Sequence, residues 1–320
     1  MGSSYYKMQL TDQEQTAYDE IIASLRKFEG KVTLQPLSAD VVSCIVAAIL
    51  LDRPELFFLG NHWSTCLYSH KTELELSINY SFREANSLLR QLSQKGNDIV
   101  ASTAHMPPLQ KALALHDYLV KNLTYSNAVN GRNEAHTIVG ALQIGKCVCE
   151  GYAKAYKFLC DKAGIPCVVV RGEAMNENGT KEGHAWNIIQ LGNTCFHVDV
   201  TFDHLIDSRY CSRAHMLLST REILTGHTFD PKFSLPNCPQ NQLPMVHVRD
   251  MDGFEAAVRQ DHRKNLSFSE YALSSYVDPK AFVDAFMKRL TVCDVMLHNR
   301  IRGFFYSNYP KVNVIGVKWR

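Results

Sequence analysis

A cysteine at the opening of a helix, followed by two strand-like runs joined by a two-residue turn, constrains this chain more than any other feature. From Glu150 to Ala163 the apolar residues Tyr152, Ala155, Tyr156, Leu159 and Ala163 recur at helical spacing, and Gly164 followed by Pro166 stops the helix. Cys149 therefore falls in the first turn. Unpaired backbone N–H groups and the positive end of the helix dipole favour a thiolate there, and the thiolate is the reactive form of cysteine.

Downstream, Cys167 to Val170 reads as a strand and Asn176 to Thr180 as a turn. His184 to Leu191 and Cys195 to Thr201 read as two strands separated by Gly192-Asn193, the signal of a two-residue hairpin. This register sets Leu191 opposite Thr194 and Trp186 opposite Asp199. Side chains two apart share a sheet face, so His184 and Asp199 become diagonal neighbours about 7–8 Å apart at the backbone, within reach of a side-chain hydrogen bond. A slip of one residue would put them on opposite faces. In this order Cys149, His184 and Asp199 supply a thiol, an imidazole and a carboxylate, the parts of a cysteine nucleophile with an oriented base.

The blocks Cys149-Glu-Gly-Tyr-Ala153, Gly183-His-Ala-Trp-Asn187 and His197-Val-Asp199-Val-Thr201 resemble the signature blocks of the transglutaminase-like superfamily in its bacterial branch. The resemblance covers about Leu115 to Cys238 and takes in His116-Asp-Tyr-Leu-Val120, Tyr125 and His136-Thr-Ile-Val-Gly-Ala-Leu142; Asp52-Arg-Pro-Glu-Leu-Phe57 is similar to the N-terminal part of multidomain members. It implies an α+β fold with a papain-related core, a helix packed on an antiparallel sheet, in which a thiolate attacks a carbonyl carbon, usually of an amide. It assigns Cys149 as nucleophile, His184 as general base and acid, and Asp199 as the residue that orients the imidazole. Family members include cross-linkers, deamidases, peptidases and peptide N-glycanases, so the substrate stays open.

Around that triad, Trp186 is expected to pack beside the histidine and its substrate channel. The backbone N–H of Cys149 is one candidate oxyanion donor, and Gln143, six residues upstream, is the second at a spacing that resembles papain-type proteases. Cys147 stands where many relatives carry a small residue, which suggests a redox-sensitive neighbour. Other groups read as structural: His197 lacks a motif role, His136 holds a loop, and Cys160, Cys167 and Cys195 are small core hydrophobes. No metal is expected, because Cys147-x-Cys149 with scattered histidines is a poor match to compact cysteine pairs. Nor does the Cys-x-Cys spacing match the familiar redox motif, and neither rival accounts for Asp199. No cofactor is implied.

The rest of the chain bounds the reading. With 34 basic and 32 acidic residues among 320, no polyanionic partner is indicated, and no basic, aromatic-interleaved cluster marks a nucleic-acid surface. Ten cysteines without regular spacing do not form a disulfide framework, which points to a reducing, cytoplasmic compartment. Val41 to Leu51, apolar apart from Ser43, is far shorter than the ~20 residues of a membrane span. Met1-Gly-Ser-Ser reads as an added leader, which leaves room for a signal peptide trimmed ahead of it.

Three units are expected: an N-terminal α+β unit over 1–105, the catalytic core over 106–240 and a small C-terminal α+β unit over 241–320. Thr11 and Glu14 form a capping-box pattern ahead of Ala17, Ile21, Leu25 and Phe28, a second helix begins near Ser38, Thr72 to Tyr80 alternates as a strand, and a long helix starts near Arg83. Met106-Pro107-Pro108 marks the entry to the core, and Pro231 to Pro244, with four prolines, reads as a linker. Beyond it, Asp278 to Met296 reads as a helix and Ile301 to Trp319 as strands. The sequence thus predicts thiol-dependent acyl chemistry on a peptide or protein amide. Water as acceptor makes a peptidase or deamidase, an amine makes a transglutaminase, and a peptide-binding module that keeps the fold without turnover is the alternative from another class.

Overall fold

The computed structural model describes residues 4–126, 132–176, 179–207, 210–264, 266–274, 277–306 and 313–320. Glu177 and Asn178 of the expected turn lie outside the described residues. The first part of the chain runs α1 (Asp12–Arg26), β1 (Lys31–Leu34), α2 (Ala39–Asp52), β2 (Leu59–Leu67), β3 (Thr72–Ile78) and α3 (Phe82–Ala101). The central part runs α4 (Pro108–Asn122), β4 (Thr124–Tyr125), β5 (Lys146–Cys147), α5 (Cys149–Ala163), β6 (Cys167–Met175), β7 (Lys181–Leu191), β8 (Thr194–Val198), α6 (Val200–Asp207), β9 (Met216–Leu218), α7 (Thr220–Ile223) and β10 (His227–Phe229). The last part holds β11 (Val246–Val248), α8 (Met251–Arg263), β12 (Phe268–Leu273), α9 (Pro279–Cys293), α10 (Val295–Arg300), β13 (Ile301–Tyr306) and β14 (Val314–Trp319). The fold is α+β.

Local chemistry sets the boundaries. Thr11 and Glu14 close the capping box of α1, with Thr11 N–H donating to Glu14 Oε2 at 2.8 Å, and Ala17, Ile21 and Leu25 bury the face the spacing predicted. Ser38 caps α2, and Ser81 with Glu84 caps α3. In β3 Thr72, Leu74 and Leu76 are buried while Glu75 is exposed, the alternation of a strand with one covered face. The helix expected over 278–296 is two helices. Asp294, whose backbone leaves the helical conformation, ends α9 and its side chain accepts from Leu297 N–H to start α10.

Five strands in the order β10-β6-β7-β8-β9, every neighbouring pair antiparallel, form the central sheet. Between β7 and β8 Leu191 pairs with Thr194 and Asn187 with Val198, the register that the Gly192-Asn193 turn predicted. Gly192 has φ +60°, while Asn193 lies outside the left-handed region, which is the pattern of a type II′ turn. Against this sheet lies α5, buried along every residue from Gly151 to Cys160. Even Lys157 is enclosed; its ammonium donates to Asp161 and to the Cys167 carbonyl at 2.9 Å, so the buried charge is paired. Gly164 takes φ +74° at the end of α5, and Ile165 N–H closes on the Cys160 carbonyl.

Buried apolar residues spread from Tyr6 to Leu243, with Ala272 and Val314 from the last part, form one continuous core, so the first 105 residues share their interior with the central part. Tyr6 shows how: its hydroxyl donates to the Val169 carbonyl on β6, and its backbone N–H donates to Asp52 on α2. The last part has a core of its own around Phe254, Tyr271 and Phe286, with the sheet order β11-β12-β14-β13. Glu270 of β12 ties it to the central part by accepting from Ser212 Oγ at 2.6 Å and Arg213 N–H at 3.0 Å.

Gly172 on β6 pairs with His184 on β7 and with Phe229 on β10. A methyl group there would sit 1.8 Å from the Thr228 carbonyl oxygen, so β10 could not keep its place on the sheet edge. Gly172→Ala is expected to destabilise the protein by about 1–3 kcal/mol, the usual range for overpacking, in urea unfolding. An unchanged midpoint would contradict this account of β10.

Candidate active site

Cys149 is the first residue of α5, delivered by the short parallel pair β4–β5. No side chain caps this helix start, so its first-turn N–H groups are not taken up by a capping residue. His184 comes from β7 and Asp199 from the step between β8 and α6. The His184 Nε2 atom lies 2.7 Å from Asp199 Oδ2, which leaves Nδ1 as the ring nitrogen that the carboxylate does not engage; Cys149 lines the same cleft as His184 and is close enough to raise the imidazole's pKa. The structure thus brings together the three residues that the sequence predicted, in the order thiol, imidazole, carboxylate.

Asp199 is fully buried and does two jobs. Its Oδ1 accepts from Phe202 N–H at 3.1 Å, capping α6, while Oδ2 faces the imidazole. Phe202, positioned by that cap, stacks on the His184 ring with centroids 4.7 Å apart, and Trp186 stacks at 5.9 Å. These aromatic faces exclude water from the His184–Asp199 bond and strengthen it.

A second histidine reaches the same carboxylate. His227 on β10, fully buried, places Nε2 3.0 Å from Asp199 Oδ2. The sequence reading missed it, because His227 stands 28 residues beyond Asp199 in the loop-rich stretch after the signature blocks and carries no motif of its own. Only the pairing of β10 with β6 brings it in.

Gln143 needs a correction. It is exposed and donates from Nε2 to Gln91 Oε1 on α3 at 3.2 Å, and it is not among the residues lining the cleft at Cys149. The π-helical turn Gly140–Ile144 ends at Gly145 with φ +80°, and β5 intervenes before the nucleophile, so six residues of separation do not bring the amide to the thiol. Trp186 packs beside His184 as expected but is buried; its indole N–H donates to His197 Nδ1 at 3.1 Å, and it does not line the cleft. Burial then pulls the His197 pKa down to about 3, so this imidazole is a neutral structural acceptor. Cys147 is fully buried, and burial followed by the neighbouring Cys149 pushes its pKa up.

The thiol opens on a cleft of about 840 Å³. One wall comes from the first part of the chain through Leu56, Phe57, Leu59 and Trp63, and the other from His184, Arg171 and Phe229. Glu150, next to the nucleophile, accepts from His136, Lys154 and Arg171. Burial would raise its pKa, but Lys154, His136 and Arg171 together hold it well below the carboxylate range. His136 thereby ties its loop to α5.

Two groups among the described residues bring three donors suited to a metal within 4.8 Å: His184 with Asp199 and His227, and His116 with Asp117 and Cys211. In both, the donors are engaged with one another. Asp117 also pairs with Arg213 at 3.0 Å, and His116 Nε2 bonds to the buried Asp203 at 3.0 Å.

A family model described as the transglutaminase-like superfamily matches residues 97–200, the segment that carries Cys149, His184 and Asp199. Residues 97–200 belong to that superfamily. Among solved structures the chain is similar to a TGase (16% identity, 53% of this chain and 51% of that one, TM-score 0.28). It is also similar to a putative cysteine protease from Cytophaga hutchinsonii (15%, 44% and 61%, TM-score 0.28). A third is the periplasmic domain of TgpA from Pseudomonas aeruginosa (15%, 56% and 70%, TM-score 0.28). The chain spans about half the length of the first and 61% of the second, and TM-scores of this size carry no argument about substrate or mechanism. No curated protein matches.

Electrostatics of the transglutaminase-like core follow from burial and contact. Burial alone would lower the His184 pKa, but Asp199 and then Cys149 outweigh it and push it up to about 10. For Asp199 burial acts upward, and the contacts with His184 and His227 hold it far below the usual carboxylate range. A histidine whose folded pKa is raised contributes stability that is complete below the unfolded value near 6.5 and is lost as pH rises through the folded value. The difference in urea midpoint between the wild type and His184→Gln is therefore expected to shrink between pH 6.5 and about 10. A difference that stays constant or grows over that window would contradict the ionised His184–Asp199 pair.

Proposed function

We propose that this protein carries out thiol-dependent acyl chemistry on a peptide or protein amide through a thioester at Cys149, with water as the acceptor. The observation that supports this most is a thiol at a helix N-terminus beside an imidazole whose far nitrogen is bonded to a fully buried carboxylate. Each group has one role. The Cys149 sulfur attacks the carbonyl carbon, and the carbonyl oxygen takes the charge beside the Cys149 backbone N–H. His184 gives its proton to the departing amine nitrogen as the C–N bond breaks, leaving the acyl group on sulfur. Water then attacks the thioester while His184 accepts its proton, and the acid leaves as the thiol is restored.

Asp199 keeps the imidazole in one tautomer and orientation, with Nε2–H toward the carboxylate and Nδ1 toward sulfur. The cleft, walled by apolar side chains on one side, has room for a few residues of a peptide beside the thiol. Hydrolysis is preferred to transfer because water needs no second binding site. A transglutaminase would need an amine acceptor site as well as the acyl-donor cleft.

Incubation with a mixed peptide and amine library, read by mass spectrometry, separates cleavage, deamidation and amine incorporation in one sample. On the substrate so found, Cys149→Ala and His184→Ala are each expected to lose at least ~10³-fold in turnover with folding intact, while Asp199→Asn keeps measurable residual activity. Undiminished turnover by Cys149→Ala would overturn the mechanism. Dominant amine incorporation would replace hydrolysis by transfer.

A further inference from the structure

We infer that His227 is a positioning residue of the site, a second imidazole that donates from Nε2 to Asp199 Oδ2 and so fixes the carboxylate against which His184 is aligned. The inference rests on the reading of Cys149, His184 and Asp199 as the reacting group and its support.

The geometry carries it. An ionised carboxylate can only accept, so with Asp199 buried and charged both imidazoles that face Oδ2 must present N–H. His184 Nε2 lies at 2.7 Å and His227 Nε2 at 3.0 Å from that one oxygen, while Phe202 N–H holds Oδ1. Three donors from three elements (β7, β10 and α6) leave the carboxylate plane no freedom to rotate. A buried carboxylate held by three donors on its two oxygens is fixed in orientation, which is what an orienting group requires.

His227 is neutral in this role. The titratable groups that face it are Asp199, His184, His215 and His197. Burial lowers its pKa more than Asp199 raises it, and the positive His184 beside it acts in the same direction as burial. A neutral imidazole shares the carboxylate with His184 without competing for its charge as a second imidazolium would. Its ring is held between Trp186, with centroids 4.6 Å apart, and Phe202, at 5.2 Å.

Removing the donor has a signed consequence. Without His227 N–H, more of the Asp199 charge falls on His184, so the imidazolium is held more tightly and loses its proton at higher pH. At the same time the carboxylate gains freedom to turn, which loosens the alignment of His184. His227→Phe keeps an aromatic ring between Trp186 and Phe202 but removes the donor, whereas His227→Gln places an amide N–H near the Nε2 position. A donor role therefore predicts that Gln restores what Phe loses. A packing role predicts the reverse ranking.

The test is ¹⁵N NMR of histidine-labelled resting protein. In the wild type at neutral pH, His227 is expected as the neutral Nε2–H tautomer. Across a titration, His227→Phe should raise the pH at which His184 deprotonates by at least ~0.5 unit, with His227→Gln close to the wild type. An Nδ1–H tautomer in the wild type, or superimposable His184 titrations in wild type and His227→Phe, would overturn the inference. The tautomer measurement decides the question even if His227→Phe fails to fold. Neither readout needs turnover, so a failure here is distinct from the failure of the thiol mechanism that Cys149→Ala would reveal.

Discussion

The buried carboxylate of Asp199 is the group on which the site depends. A charge with no exposed surface is tolerated only when it is paired and hydrogen-bonded, and Asp199 meets that condition through His184, His227 and the Phe202 N–H. Each of those contacts also fixes a piece of structure. The bond to Phe202 starts α6 at the point where β8 ends; the bond to His227 holds the edge strand β10 in place; the bond to His184 orients the imidazole toward the thiol. Removing the carboxylate would therefore loosen two secondary-structure boundaries along with the chemistry.

A second buried acid repeats the device at a distance from the cleft. Asp203, one turn further along α6, accepts from His116 Nε2 on α4 and from the His215 backbone N–H at 2.8 Å. Burial disfavours a charged His116, yet Asp117 and Asp203 hold its pKa well above the ordinary histidine value. This cluster fastens α4 to α6, and through Arg213 and Glu270 it reaches the C-terminal sheet. The first part of the chain joins through the shared apolar core, to which Ala272 and Val314 of the last part also belong, and it supplies one wall of the cleft.

The parts of the site governed by local rules were legible in the sequence. Helical spacing with a Gly-Pro stop placed Cys149 at the head of α5, and a two-residue turn fixed the β7–β8 register as far as Asn187 and Val198; the strand expected to run on to Thr201 ends at Val198, and Asp199 meets His184 from the start of α6. His227 was not legible, because its approach to Asp199 depends on a long-range pairing of β10 with β6 that leaves no periodic trace in three residues. Gln143 misled for the complementary reason. A sequence interval carries geometry only within one regular element, and here a π-turn, a left-handed Gly145 and a short strand lie between Gln143 and Cys149. The break at Asp294 escaped a reading by apolar spacing because the residue that interrupts the helix also caps the next one.

The central claim is that the sulfur of Cys149 carries the acyl group between two half-reactions. Its most direct test is acid quenching of the protein during turnover of an identified peptide substrate, followed by intact-mass analysis and peptide mapping. The account predicts a thioester-linked adduct, with the mass of the acyl fragment, on the peptide that contains Cys149. Substrate turnover accompanied by an acyl adduct on any other residue would contradict it.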